Sequence, residues 1–285
     1  MIYVITGRAR SIGNFYDTLI NPIKGFLDDN RINYHTIHFA DQVIDNEKDL
    51  FIGIFHHVNG RYMPKNYIML AMDPPGNCNE GMKIKLRKAK AILVYTDKDF
   101  FSQLNENLIY YPFPYHKSIE NMYNIEKNII EQNKDIITIG CINDKRRYIY
   151  DYLKENNYDI YCPNIEDKPS GVYEKEQDLL LYSSKIVLLN NYYKNDLQLP
   201  RMTYNASNKI FFIYILNEED DGNLLEDIYD NLIVKCSSNN LLETVKFYLD
   251  NEEKRKENIE KLYNYVSNKL RIEDFLNKDI FSDFQ

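Results

Sequence analysis

Short apolar runs rich in β-branched residues alternate along this chain with longer segments of polar periodicity. Residues 2–6 (IYVIT) read as a buried strand, followed by a polar loop at 7–13 and a helix-like stretch to residue 26. Further strands are predicted at 34–39, 50–55 (LFIGIF), 67–72 (YIMLAM) and 91–95 (AILVY), with a helix over 82–90 ahead of the last. Asp97 then caps a short helix, and residues 108–110 close this half. Runs that are apolar throughout, and not alternating, suit strands covered on both faces, as in a parallel sheet. Strand and helix in regular alternation make the class α/β.

Residues 111–116 (YPFPYH) interrupt the pattern, because two prolines so close together continue neither a helix nor a central strand. A polar, helix-like segment is expected over 117–132. The alternation then restarts, with strands at 136–140 (IITIG), 159–162, 185–189 (KIVLL), 210–215 (IFFIYI) and 232–235 (LIVK). Helices are expected over 146–156, 174–183 and 200–207, the last with Pro200 in its first turn. Residues 241–276 read as helical throughout. The pattern describes two Rossmann-like domains facing a cleft: 1–116, then 117–270, with a C-terminal helix over 271–285 returning to the first. Ligands of such sheets bind outside the carboxyl ends of the strands, so the loops after each strand are where chemistry is sought.

Composition narrows the picture. An apolar fraction of 44% and a charged fraction of 27% over 285 residues describe a folded, globular chain. Thirty-five basic against 43 acidic residues leave a net charge of −8, which argues against a protein that coats nucleic acid. The four cysteines form no C-x-x-C pair and no zinc-ligand spacing. No signal-peptide pattern opens the chain, and no run of 18 apolar residues crosses a membrane. The expectation is a reduced, cytoplasmic protein. Its Asn, Ile, Lys and Tyr bias suggests an A+T-rich gene of a parasite or large virus, and a viral origin would make that cytoplasm the host's.

Several loops carry candidate chemistry. After the strand at 136–140 come Gly140, Asn143, Lys145, Arg146 and Arg147, opening a helix. Glycine admits close approach to the backbone, and helix N–H groups beside three cations suit a diphosphate; the plainer alternative is a solvated basic first turn. Arg201, at the start of another helix, is a fixed bidentate donor or a partner in a structural ion pair. In the first half, His56 and His57 follow LFIGIF, and Asp73 follows YIMLAM ahead of two prolines. Each is a candidate proton acceptor from a hydroxyl; the alternatives are a surface histidine pair and an Asp capping the proline turn. The loop at 7–13 lacks the spacing of a dinucleotide or P-loop motif.

The second half resembles the nucleotide-sugar domain of GT-B glycosyltransferases, especially the CgeB-like group. The segments that carry the likeness are Gly-x-x-Asn-x-x-Arg-Arg at 140–147, the strand into Asn190 followed by Pro200-Arg201 and its helix, and the ending at 232–266 with Arg255 in a charged helix. YIMLAMDPPG at 67–76 and YYPFPYH at 110–116 resemble the acceptor-domain segment and the inter-domain connection. The resemblance implies a metal-independent transferase whose donor is a UDP- or GDP-type nucleotide sugar, with no further cofactor. The donor would lie against Gly140, Asn143, Arg146, Arg147, Asn190, Arg201, Tyr204 and Asn205. The acceptor, a glycan, protein or small molecule, would meet Asp73, His56 and His57.

The family's Arg-x-x-Glu-Ala-x-x-x-Gly pattern departs here. Its carboxylate is replaced by Tyr204 and its glycine by Lys209. That keeps open a second reading, an inactive GT-B-like binding or scaffold protein. A third is a metal-dependent GT-A transferase in which Asp97 and Asp99 hold the cation, set against Asp97 as a plain helix cap. The acidic 218–221 and the lysine- and arginine-rich 83–90 read as solvated faces.

Overall fold

Strands β3 (Leu50–Gly53), β4 (Tyr67–Leu70) and β5 (Ala91–Val94) are buried at every position, as the uninterrupted apolar runs require. They lie in a computed structural model that describes residues 1–5, 17–37, 47–55, 63–71, 75–95, 97–167, 172, 174–191, 197–217 and 222–284. The chain divides into two compact units, Met1–Ile119 with Leu270–Gln285, and Glu120–Lys269.

In the first unit β1 (Ile2–Ile5), β2 (Tyr34–Ile37) and β6 (Leu108–Tyr110) complete a six-stranded parallel sheet ordered β2-β1-β3-β4-β5-β6. β2 and β6, at its two edges, are only partly buried. Helices α1 (Asp17–Asp29), α2 (Glu80–Lys88) and α3 (Lys98–Ser102) connect the strands. Phe51, Phe55, Tyr67, Met69, Ile92 and Phe101 fill one side of the sheet. Each such fully buried side chain stabilises the fold by roughly 1.5–3 kcal/mol.

The second unit is a five-stranded parallel sheet ordered β11-β10-β9-β7-β8, from β7 (Lys134–Ile137), β8 (Ile160–Tyr161), β9 (Ser184–Asn190), β10 (Phe212–Ile215) and β11 (Lys235–Cys236). Around it run α4 (Asp144–Glu155), α5 (Pro163–Glu166), α6 (Glu174–Tyr182), α7 (Leu199–Ser207), α8 (Gly222–Tyr229), α9 (Leu241–Asp250) and α10 (Glu252–Lys269). Leu153 of α4 and Val245 of α9 pack with Ile136, Ile186, Leu188 and Ile213. No helix among the described residues is long and apolar enough to cross a membrane.

Four sequence expectations are corrected. Residues 117–132 are not an α-helix but two short 3-10 turns, Lys117–Ile119 and Lys127–Ile129. Asn121 and Asn124 take left-handed φ values of 44° and 50°, and the Asn121 amide bonds both the N–H and the carbonyl of Ile125; short amide side chains compete with the helix in this way. The helix expected over 241–276 breaks at Asn251. There the buried Arg255 donates to the Tyr248 and Leu249 carbonyls, which α9 leaves without helical partners. The strand expected at 232–235 forms only at Lys235–Cys236. The tail, expected as a helix, is two 3-10 segments, Ile272–Asp274 and Lys278–Phe284. It is fastened to the first unit by Tyr115 N–H to the Leu270 carbonyl (2.7 Å), Ile272 N–H to the Tyr115 carbonyl (3.0 Å), and the buried Ile272, Phe281 and Phe284.

Beside this tail, the buried His116 ring lies on the bare backbone of Gly25 in α1. A Cβ at Gly25 would come within 2.0 Å of its Cε1. The ring is held by Ser118 N–H donating to Nδ1 (3.1 Å) and by Asp29 at Nε2 (3.4 Å). Gly25→Ala therefore gains about 1 kcal/mol of helix propensity but forces a packed ring to move, which typically costs about 1–3 kcal/mol. The expected outcome in a urea melt is a net loss of stability. Gly76→Ala, where an added Cβ meets nothing within 4 Å, should stay within about 0.5 kcal/mol of the parent.

Candidate functional site

From β7 the chain crosses to β8 on one side of the second sheet. From β9 it proceeds to β10 and β11 on the other. β7 and β9 are neighbours, in register at Ile136 with Ile186 and Ile137 with Val187. The crevice at such a switch point, outside the carboxyl ends of the two strands, is where doubly wound sheets take ligands.

Three segments meet there. The loop after β7 reaches Gly140, whose φ of +123° is a conformation that L side chains rarely adopt. Asn143 then caps α4, its Oδ1 accepting the Arg146 N–H at 2.9 Å. β9 ends in Asn190, and α7 opens with Leu199, Pro200 and Arg201.

Arg146 is buried and stitches these segments together. Its Nε donates to Asn190 Oδ1 (3.1 Å), Nη2 to the Asn190 carbonyl (2.8 Å) and Nη1 to the Cys141 carbonyl (2.6 Å). Arg201, half-buried, donates through Nη1 to the Ile139 carbonyl. A Cβ on Gly140 would lie 2.8 Å from Arg201 Nη2, 2.9 Å from Arg201 Nη1 and 2.9 Å from Arg146 Nη1. Two guanidinium groups thus converge on the space that glycine leaves open. Their bonds to carbonyl and amide oxygens orient the charge without titrating it, since arginine stays protonated. Because Asn190 Oδ1 is engaged by Arg146, its Nδ2 is fixed facing away, and it has no hydrogen-bond partner among the described residues.

The structure therefore brings together Gly140, Asn143, Arg146, Asn190 and Arg201. It does not bring in Arg147, which is exposed on α4. Tyr204 turns to a different, buried group, its hydroxyl donating to Asp178 Oδ2 of α6 at 2.6 Å. Asn205 is buried on α7 with its Nδ2 unpartnered. His56, His57 and Asp73 lie outside the described residues, as do the loop at 7–13, Tyr192, Tyr193 and the acidic tip at 218–221.

The group around Tyr204 was not foreseen from sequence. Asn208 Oδ1 accepts from the Tyr182 hydroxyl (2.8 Å) and the Asn121 N–H (2.7 Å), and Lys127 Nζ stands 4.6 Å from the Tyr182 ring centroid. Burial pushes the Asp178 carboxyl up to about 6, with the Tyr204 hydrogen bond and then the Lys127 charge opposing it. Burial, then the Asp178 charge, pushes the Tyr204 hydroxyl far above its ordinary value. Lys209, read in the sequence as standing where a close-approach glycine belongs, is at the carboxyl end of α7. It takes the left-handed φ of 56° typical of glycine there, and its ammonium pairs with Glu260 at 2.8 Å. That position shapes a helix end.

Asp97 is a helix cap: its Oδ1 accepts the Phe100 N–H at 2.9 Å. Among the described residues the group able to gather around a cation is Asp29, His116 and Glu273, not Asp97 and Asp99. Even there, the backbone N–H at His116 Nδ1 places the neutral ring's proton on Nε2, facing Asp29, as a hydrogen bond requires.

The whole chain superposes on WaaG, a glycosyltransferase involved in lipopolysaccharide biosynthesis, with a TM-score of 0.54 over 99% of both chains at 10% identity. The fold is GT-B. A GT-B chain has two Rossmann-like units, which removes the GT-A alternative built on Asp97 and Asp99. Two nicotinamide-dependent dehydrogenases also align. They are a 3-phosphoglycerate dehydrogenase of Entamoeba histolytica (10% identity, TM-score 0.23, 97% of this chain and 99% of that one) and a D-isomer-specific 2-hydroxyacid dehydrogenase of Lactobacillus delbrueckii ssp. bulgaricus (13%, 0.22, 94% and 96%). Neither superposes well enough to bear on the argument. No family model and no curated protein matches the sequence.

The Asp178 group makes a prediction about pH. A carboxyl near 6 in the folded chain and near 4 in the unfolded one binds its proton more tightly when folded. The stability this confers is complete below about pH 4 and lost as pH rises through about 6, a difference of about 2–3 kcal/mol. Asp178→Asn keeps an acceptor for Tyr204 and cannot ionise. In urea melts its stability relative to the parent should rise between pH 5 and pH 7.5. A gap that does not change with pH would contradict the assignment.

Proposed function

We propose that this chain is a glycosyltransferase whose second unit binds a nucleoside-diphosphate sugar. The observation that carries this reading is the convergence of Arg146 and Arg201 on the open face of Gly140 at the switch point between β7 and β9. Two like charges held close together favour an anion between them, and a bare glycine gives a diphosphate room to reach both.

In the transfer, an acceptor hydroxyl oxygen bonds to the anomeric carbon. The bond from that carbon to the diphosphate oxygen breaks, and its electron pair remains on the diphosphate. Guanidinium groups and the N–H groups opening α4 stabilise that charge, the task a divalent cation performs elsewhere. Arg146 serves as a fixed frame, since three of its bonds already go to the protein; Arg201 is the more exposed of the two. The acceptor's proton passes to a base, for which His56, His57 and Asp73 are the candidates. The donor is of the UDP or GDP type, and the acceptor a glycan, protein or small molecule. The chain acts in the cytoplasm, without a nucleic-acid partner.

The pairing of Tyr204 with Asp178 supports a second reading. The position at which the resemblance places a ligand-binding carboxylate is committed to a buried structural group, as expected of a binding protein that has lost turnover.

Thermal denaturation with nucleoside diphosphates and nucleotide sugars, in the presence of Mn²⁺ or of EDTA, tests the proposal. At least one ligand should raise the melting temperature equally in both conditions. Arg201→Ala should weaken that ligand roughly 10- to 100-fold, the scale of a lost charge-assisted bond. No stabilisation by any nucleotide, or identical behaviour of Arg201→Ala, would end it. Hydrolysis or transfer of the stabilising sugar nucleotide above background decides for the enzyme over the binding protein.

A further inference from the structure

A second opening in the Glu120–Lys269 unit lies beside the arginine notch, and none of Gly140, Asn143, Arg146, Asn190 and Arg201 lines it. It is a cavity of about 620 Å³ between the first turns of α4 and the loops that follow β10 and β11. Ile149 and Leu216 contribute apolar surface. Asn217, Ser237, Ser238 and Asn239 contribute amides and hydroxyls. The charges on its wall, Asp144 and Lys145, cancel. Arg146, on the same turn of α4, is engaged with Asn190 and Cys141 instead.

Tyr148 completes the wall, and it is 59% exposed, unusual for so large an aromatic ring. Its ring is nearly parallel to that of Tyr152, one turn along α4, with 5.8 Å between centroids and 5° between planes. The stack holds the ring steady. Described residues around it are tied down too: the Ser237 N–H and hydroxyl both donate to Asn240 Oδ1 (2.8 and 3.1 Å), and the Leu216 N–H donates to the Cys236 carbonyl (2.8 Å). The Asn217 amide donates to Asn191 Oδ1.

An aromatic face beside a rim of amides and hydroxyls, with no net charge among the described lining residues, matches one ligand chemistry well. A pyranose ring has an apolar face of C–H groups to lie on tyrosine and an edge of hydroxyls that both donate and accept. A nucleotide would also stack, but its phosphates would find no cationic excess among the described lining residues. We propose that this cavity is a carbohydrate-binding subsite, in which Tyr148 is the platform and the residues after β10 and β11 read the hydroxyls. It needs no nucleotide in the notch and stands whether or not the chain transfers sugar.

Saturation-transfer NMR on the full chain tests this directly, using glucose, galactose, mannose and N-acetylglucosamine at millimolar concentration without nucleotide. At least one sugar should receive saturation at its ring C–H protons. Tyr148→Ala, a change at an exposed position, should weaken that sugar roughly tenfold, while Tyr148→Phe and Arg201→Ala retain it. Transfer to none of the four sugars would overturn the proposal. So would transfer undiminished in Tyr148→Ala, or displacement of the sugar by UDP or GDP in Arg201→Ala. Loss of nucleotide binding alone would count against the diphosphate site and leave this one standing.

Discussion

The buried guanidinium of Arg146 is the fastening on which the second unit's site depends. It joins the loop after β7, the first turn of α4 and the end of β9 through bonds to Cys141 and Asn190. A buried cation is costly unless its N–H groups are satisfied, and here carbonyl and amide oxygens do so. Gly140 can then stand at a φ of +123° with its open face against Arg146 and Arg201. A side chain at that position would have to displace one arginine or the other. The free space, the local charge and the fixed Asn190 amide all follow from this one arrangement.

Much of the architecture is legible in the sequence because burial on both faces leaves a plain mark. β3, β4, β5, β9 and β10 coincide with the uninterrupted apolar runs, and Asp97 is a helix cap. What escapes the sequence is decided by contacts distant along the chain or by single-residue backbone geometry. Residues 117–132 are polar enough for a surface helix, yet Asn121 and Asn124 turn the backbone left-handed. The 241–276 stretch has no proline to mark its break, and the stop at Asn251 is secured by Arg255 reaching back to α9.

The candidate site divides in the same way. The glycine and the basic run single out the loop at which the two arginines converge. Adjacent helix positions, however, point about 100° apart, so Arg146 enters the interior while Arg147 remains in solvent, and the two letters alone do not say which. Tyr204 and Asp178 are 26 residues apart, and only the packing of α6 on α7 joins them. Their pairing explains why a tyrosine can stand where the resemblance leads one to expect a carboxylate. The carboxylate is present, but it comes from the neighbouring helix and is buried. Lys209, where the resemblance leads one to expect a glycine, takes a left-handed backbone that glycine adopts readily.

The most direct test is calorimetric titration of the parent and of Gly140→Ala with nucleoside diphosphates, with circular dichroism to show that both are folded. The account predicts measurable binding to the parent and none to the folded variant, because the added methyl group occupies the space between the two guanidinium groups. A folded Gly140→Ala chain that binds as the parent does, or a parent that binds no nucleoside diphosphate, would contradict it.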